Sequence, residues 1–299
     1  MKKTLKNVLT ASVAIAAMLL PAGANAQLLW EVSGNGAKET SYLFGTHHIA
    51  PATMMDSVKG MTDAIKGVDK VYGEVVMAEL MNPQTQMEYA TKYMLAPADS
   101  TLSKVLSVEQ LDSVNNLLGR LSGGAANLSM LEMMKPSLVS AQLLILENMK
   151  MFPDFNPQQQ LDGMIQDFAT AAGIPVGGLE TPEDQMVLLY GKPISIQADE
   201  LMKGIREFDD EADKSKKLAV AYVGQDFNAL AELFKIEEET ETESMKELLY
   251  ERNDSWMKII KSKLPEESMF IAVGAGHLVG DHGLIQQLRQ AGYTVSPVK

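Results

Sequence analysis

Two short apolar segments, Leu28–Val32 and Ser41–Phe44, flank Ser33-Gly34-Asn35-Gly36, whose composition is that of a turn, so the chain is expected to open on a β-hairpin. A helix over about 56–65 and an apolar strand from Val68 to Val76 follow. From about 82 to 160 the apolar spacing becomes helical, first in Leu106, Leu111, Val114, Leu117, Leu118 and Leu121. It continues in Leu128, Leu131, Met134, Leu138, Leu143 and Leu146. Gly123-Gly124 separates these helices, and Pro136 is expected to kink the second. Methionine is frequent in this helical insertion (Met130, Met133, Met134, Met149, Met151), as loosely packed core or as an adaptable apolar cover over a cleft. The α/β pattern returns with a helix from Leu161 to Ala172 and a strand from Ile174 to Leu179 that runs into Glu180-Thr181. Helices then extend to about Phe234, and the acidic run Glu237–Glu243 reads as a solvated connector or helix start. A helix over about Met245–Leu264 and the strand Met269–Val273 come next. The helix from Gly283 to Ala291 and the strand Tyr293–Val298 complete the pattern.

The two ends of this pattern resemble each other. Tyr42-Leu43-Phe44 leads into Gly45 to His48, and Phe270 to Val273 leads into Gly274 to His277; each is a strand, a G-x-x-H, a helix and a strand. The expected fold class is therefore α/β: a central β-sheet core built from two related strand-GxxH-helix-strand halves, with the helical region inserted between them.

Composition changes the picture at the N-terminus. Lys2, Lys3 and Lys6, an apolar run from Val8 to Leu20, Pro21 and then Ala24-Asn25-Ala26 are the parts of a secretory signal peptide cleaved after Ala26. The expectation is a signal peptide over 1–26, one domain over 27–299, and a periplasmic or secreted location. No later apolar run approaches the length of a membrane span. The 299 residues include no cysteine, which excludes a disulfide framework, a thiolate nucleophile and Cys-ligated metal. The net charge of −13, more negative once three lysines leave with the signal peptide, repels nucleic-acid phosphates and anionic membranes.

Candidate chemistry centres on the four histidines His47, His48, His277 and His282. Both G-x-x-H motifs sit where an apolar strand ends, which is where open α/β sheets build their sites. If the two strands are neighbours, both imidazoles meet at one sheet edge; otherwise each histidine is a structural hydrogen-bonding residue. Glu74 and Glu180 stand at or just past strand ends. In its apolar context Glu74 is costly unless paired, ligated or at a water-facing edge, and Glu180 serves either the site or as a cap of the next helix. Arg252 falls on the apolar stripe of Met245, Leu248, Leu249, Trp256, Ile259 and Ile260, so it needs an anionic partner, either a scaffold carboxylate, or Glu74 or Glu180 at the histidine site, or a substrate carboxylate or oxyanion, with Asn253 beside it able to share that role. Two histidines and a carboxylate suit a divalent Zn, Mn, Co or Fe ion with open coordination positions.

These residues together resemble the TraB/GumN family. The resemblance rests on Trp30-Glu31-Val32, Gly45-Thr46-His47-His48 with Pro51, Glu74, Gly177-Gly178-Leu179-Glu180-Thr181, Arg252-Asn253 with Trp256, and Gly274-Ala275-Gly276-His277-Leu278 with Gly280, Gly283 and Leu284. It covers Trp30 to Val298. It implies an α/β core of two related halves, akin to erythromycin esterases, ChaN-like haem-uptake proteins and the animal Tiki metalloproteases. It further implies divalent-metal hydrolysis, with peptide bonds as substrate in the Tiki branch and a peptide-signal role in the TraB branch, and it places the motif histidines at His48 and His277 and the strand-end glutamate at Glu74. This chain departs from the pattern in carrying His47 where an apolar residue is usual. The resulting expectation is an exported metal-dependent hydrolase acting on a peptide or small-molecule substrate. His48, His277 and Glu74 would hold the metal, with Glu74 alternatively the general base, and Arg252, Asn253 and Glu180 would assist catalysis. The alternative is a non-catalytic periplasmic binding protein for peptide, haem or metal, in which His47, His282 or a methionine would serve a haem iron.

Overall fold

Six strands form one sheet among the described residues of this computed structural model, which are 27–298 apart from 52, 153–154, 157–158 and 241. The signal peptide expected over 1–26 lies outside the described residues. The strands are β1 (Leu29–Ser33), β2 (Ser41–Thr46), β3 (Lys70–Gly73), β4 (Val176–Gly178), β5 (Met269–Gly274) and β6 (Thr294–Pro297), in the spatial order β4-β3-β5-β2-β1-β6. β1 and β2 pair antiparallel, as the hairpin pattern implies, and the intervening turn carries positive φ at Gly34, Asn35 and Gly36. β5 lies between β3 and β2 and is parallel to both. The β2–β5 ladder ends with Thr46 opposite Gly274, so the two G-x-x-H segments leave adjacent strands at the same level and in the same direction.

Alternation along these strands separates two cores. Phe44, Phe270 and Ala272 pack with Met54, Met55, Met61 and Ile65, which belong to the short helices Met54–Ser57 and Met61–Lys66 after β2, and with Leu161, Ile165 and Ala169 of the helix Leu161–Ala171. Leu43, Ile271 and Val273 face the other way. They pack with Trp256, Met257 and Ile260 of the helix Glu251–Lys263 and with Leu284, Ile285 and Leu288 of the helix Leu284–Gln290. The chain thus leaves β2 over one face to reach β3 and leaves β5 over the other to reach β6. Those crossovers run in opposite directions, which makes the β2–β5 boundary a topological switch point, where a crevice opens at the carboxyl ends of the strands.

The helical layer has its own core. Leu102, Val114, Leu118, Val139 and Leu143 pack with Ala198, Leu201 and Met202, so helices on both sides of β4 share it. The helix Val108–Ser122 starts at a capping box on Ser107 and ends at Gly123 with φ 62°. Pro136 does not kink a helix. It is the first residue of Pro136–Met151, where its missing N–H removes no bond, and Leu128–Leu131 is a separate 3₁₀ turn. Glu237, Glu238 and Glu239 continue the helix Phe227–Thr240 instead of forming a connector, and Lys214 pairs with Glu237 at 3.5 Å. A π-helical turn, Lys246–Tyr250, precedes Glu251–Lys263 and shifts the phase of the stripe, leaving Leu248 exposed while Met245, Trp256 and Ile260 are buried.

Two glycines are dictated by close approach. A Cβ on Gly73 would lie 2.3 Å from Gln166 Nε2, and one on Gly283 would lie 2.3 Å from the Val279 carbonyl oxygen.

Candidate active site

The chain turns sharply after β3, and Gln166 holds the turn from the neighbouring helix. Its Nε2 donates to the Val75 carbonyl (2.9 Å) and its Oε1 accepts from the Met77 N–H (2.9 Å). This fixes Glu74, which is 7% exposed, against the end of β5. Glu74 Oε1 accepts the Gly274 N–H at 2.9 Å, and Oε2 accepts from Arg252 Nη2 at 2.6 Å and from Gln185 Nε2 at 3.0 Å.

Arg252 is gripped from several sides. Its Nε and Nη2 donate to the two oxygens of Glu180 at 3.0 and 2.7 Å, a planar fork on a carboxylate, and its guanidinium carbon lies 4.7 Å from the Trp256 ring centre. Trp256 Nε1 also donates to Glu180, at 3.2 Å. Glu180 is therefore not the cap of the next helix; Thr181 and Asp184 form that capping box themselves. Burial opposes the Arg252 charge, but Glu180 and Glu74 outweigh it and raise its pKa further.

Asn253 determines the tautomer of His277. Its amide nitrogen donates to two carbonyls, His277 O (3.1 Å) and His282 O (2.9 Å), so its Oδ1 is the atom 2.8 Å from His277 Nδ1 and must accept. Nδ1 carries the proton, and the Nε2 lone pair accepts from Arg252 Nη1 at 3.0 Å. Burial, followed by the Arg252 charge among the groups that oppose protonation, lowers the His277 pKa to about 3 and keeps the ring neutral.

His48 arrives from the other motif. Its Nδ1 lies 3.1 Å from Asp162 Oδ2, and Asp162 Oδ1 accepts from Thr46 Oγ1 at 2.7 Å. The Asp162 carboxylate raises the His48 pKa to about 9. Water reaches the ring, whose side chain is 61% exposed. Of the adjacent histidines it is His48 that faces the cluster. His47 packs against Tyr222 and Phe152, with centroids 5.2 and 5.8 Å away, and burial lowers its pKa to about 4. His282 stacks on Tyr250 at 4.3 Å.

The pieces meet over one residue. A Cβ on Gly274 would stand 3.4 Å from Glu74 Oε1, 3.6 Å from His277 Cδ2 and 3.9 Å from His48 Nε2. Burial by itself would raise the Glu74 carboxyl, but the facing His277, His48 and Arg252 and the Gly274 N–H outweigh it and bring it down to about 2.

Two cavities flank the cluster and share His48, Glu74, Leu189, Leu248 and Arg252. One, of about 330 Å³, reaches Gln160, Asp162, Gln166 and Gln185. The other, of about 560 Å³, is walled by Ala141, Leu144, Ile145, Leu218, Leu230 and Phe234. The insertion meets this second cavity through the helix Pro136–Met151, whereas Met130, Met133 and Met149 are exposed and line neither cavity.

Glu74, Glu180, Arg252, Asn253 and His277 therefore share one hydrogen-bonded cluster, and His48, held by Asp162, faces it across Gly274. Sequence reasoning missed Asp162, Thr46, Gln166 and Gln185. Asp162 and Gln166 did carry a usable signal, since both fall on the apolar stripe of Leu161, Ile165 and Ala169 and are buried there.

The donor types are suitable for a metal, but the Nε2 lone pair of His277 is taken by a guanidinium and both Glu74 oxygens are already acceptors. Among the described residues, no group of three or more His, Asp or Glu side chains could hold a metal ion. The arrangement does not fit a His48–His277–Glu74 metal centre.

The model of the TraB/PrgY/gumN family matches residues 28–297. Metalloprotease TIKI2 of Danio rerio is 42% identical over 52 residues, and Metalloprotease TIKI1 of Xenopus tropicalis is 44% identical over 52 residues. Each match covers 16% of this chain and 10% of the relative, so the chain spans about a tenth of the length of these curated relatives. No solved structure matches.

Proposed function

The chain belongs to the TraB/PrgY/gumN family, and from that premise we propose that it is an exported hydrolase of peptide bonds whose chemistry takes place at His48, Glu74, His277 and Arg252. The observation that carries this reading is the convergence over Gly274 of a carboxylate and an imidazole whose proton affinities are pushed far apart. Such a pair divides naturally into base and acid. Glu74 is ionised and takes a proton from the attacking water through Oε1. His48 is an imidazolium and gives its Nε2 proton to the leaving amine as the C–N bond breaks. Water supplies the oxygen that bonds to the carbonyl carbon, and proton exchange with solvent resets both groups. Arg252 anchors Glu74 and His277 and supplies the fixed positive charge beside the developing oxyanion. The similarity to proteins named metalloproteases supports a peptide as substrate, and the larger cavity favours one with a bulky apolar side chain next to the scissile bond.

Cleavage of a peptide library by the purified protein tests this reading. Products are expected to share a bulky apolar residue on one side of the cut. Peptide binding without cleavage would favour the non-catalytic alternative.

The pH profile is a second test. With Glu74 at about 2 and His48 at about 9, kcat/KM is expected to hold through neutral pH and fall as pH rises through about 9. In Asp162→Asn the His48 ring loses its carboxylate, and that limb should move down toward the ordinary imidazole value of about 6.5. The sign for stability is consistent. The His48 pKa is raised in the folded state, so the pair stabilises the fold below about pH 6.5, and the contribution is lost as pH rises through about 9. An upper limb that stays put in Asp162→Asn would remove His48 as the acid.

A further inference from the structure

We propose that Arg252 occupies the place of a divalent cation in this site, so that the chain works with a guanidinium where a metal-dependent hydrolase holds an ion. An imidazole offers a metal one sp² lone pair, and the tautomer of His277 is fixed by Asn253, whose amide can point only one way. That leaves Nε2 as the single donor of His277, and Arg252 Nη1 lies on it at 3.0 Å. The same guanidinium reaches Glu74 Oε2 at 2.6 Å through Nη2. One planar cation thus bridges the two ligands that an ion would bridge. Only His48 Nε2 and the second lone pair of Glu74 Oε1 remain, one donor short of the smallest protein ligand set usual for a hydrolytic metal.

The replacement is built in and costly to displace. Glu180 accepts from Nε and Nη2 of Arg252 and also takes the Trp256 N–H, and Trp256 stacks on the guanidinium face. An ion entering between His277 and Glu74 would have to expel Arg252 and leave Glu180, itself 11% exposed, without its cation. An ion beside a guanidinium that stayed would be repelled.

The test is metal binding by the full chain, independent of any substrate. The protein is stripped with a chelator, dialysed against Zn²⁺, Mn²⁺ or Co²⁺ in turn, and its bound metal is measured by mass spectrometry. The wild type is expected to hold well under about one tenth of an equivalent and to keep its melting temperature. Arg252→Met frees Nε2 of His277 and Oε2 of Glu74 and removes the positive charge. It is expected to take up about one equivalent, which Arg252→Met combined with His277→Ala loses again. One equivalent bound by the wild type, abolished by His277→Ala, overturns the proposal. So does a folded Arg252→Met chain that binds no metal. Should Arg252→Met fail to fold, the wild-type measurement decides alone.

The proposal deepens the hydrolase reading but fails separately from it. Its activity arm expects wild-type cleavage to survive chelation unchanged. Metal uptake is scored even if no peptide is cleaved.

Discussion

Glu74→Gln is expected to lower kcat/KM roughly a thousandfold, within the range seen when a general base is removed and equivalent to about 4 kcal/mol of transition-state stabilisation. The amide keeps the size of the side chain and can still accept the Gly274 N–H, but it cannot take a proton from water. Its nitrogen also meets donors on the other side, because Arg252 Nη2 and Gln185 Nε2 both point at the present Oε2. Some stability is lost with it, limited by the fork that Arg252 keeps on Glu180. Turnover should therefore be normalised to folded protein by thermal melting. A variant that retains activity within tenfold of wild type would assign the base elsewhere.

Gly283→Ala should produce the largest stability loss of any single methyl addition near the site. The new Cβ would fall 2.3 Å from Val279 O, 2.5 Å from Leu278 O and 2.7 Å from Leu278 C, all of them backbone atoms that cannot swing away. Gly283 is the N-cap of the helix whose Leu284, Ile285 and Leu288 fill one face of the sheet, so strain there pulls directly on a core. Overpacking of this kind costs about 2–3 kcal/mol. For a chain of this size that is roughly 5–10 °C in melting temperature, read by calorimetry or circular dichroism. A shift below about 2 °C would show that the 278–283 segment can relax, contrary to the packing described.

How much of this was legible depended on how far apart the interacting residues lie. The parallel approach of β2 and β5 could be anticipated because the same strand-GxxH-helix unit occurs twice and each copy supplies its own strand. Arg252 could be anticipated because a charge on an apolar stripe must find a partner, and it has both Glu74 and Glu180. The same rule applied to the helix Leu161–Ala171 would have exposed Asp162 and Gln166. Asp162, however, also resembles any acidic residue in the first turn of a helix, and its partner His48 is 114 residues away. The engagement of the expected metal donors was hidden for a different reason. Spacing and composition identify which donors exist, but not which donors are already engaged, and here Asn253 and Arg252 decide that. Pro136 misled because the same residue type breaks a helix from the inside and begins one from its first turn.

The position of β5 in the sheet has a consequence for when activity can exist. Residues 269–274 come late in the chain, yet they form the strand wedged between β3 and β2. Until they arrive, the sheet has a gap at its centre, Glu74 lacks the Gly274 N–H, and His277 has not joined Arg252. A chain still being synthesised therefore holds His48, Glu74 and Arg252 without holding the cluster they form with Gly274 and His277. The cluster closes in a single late event, the insertion of β5 between β3 and β2.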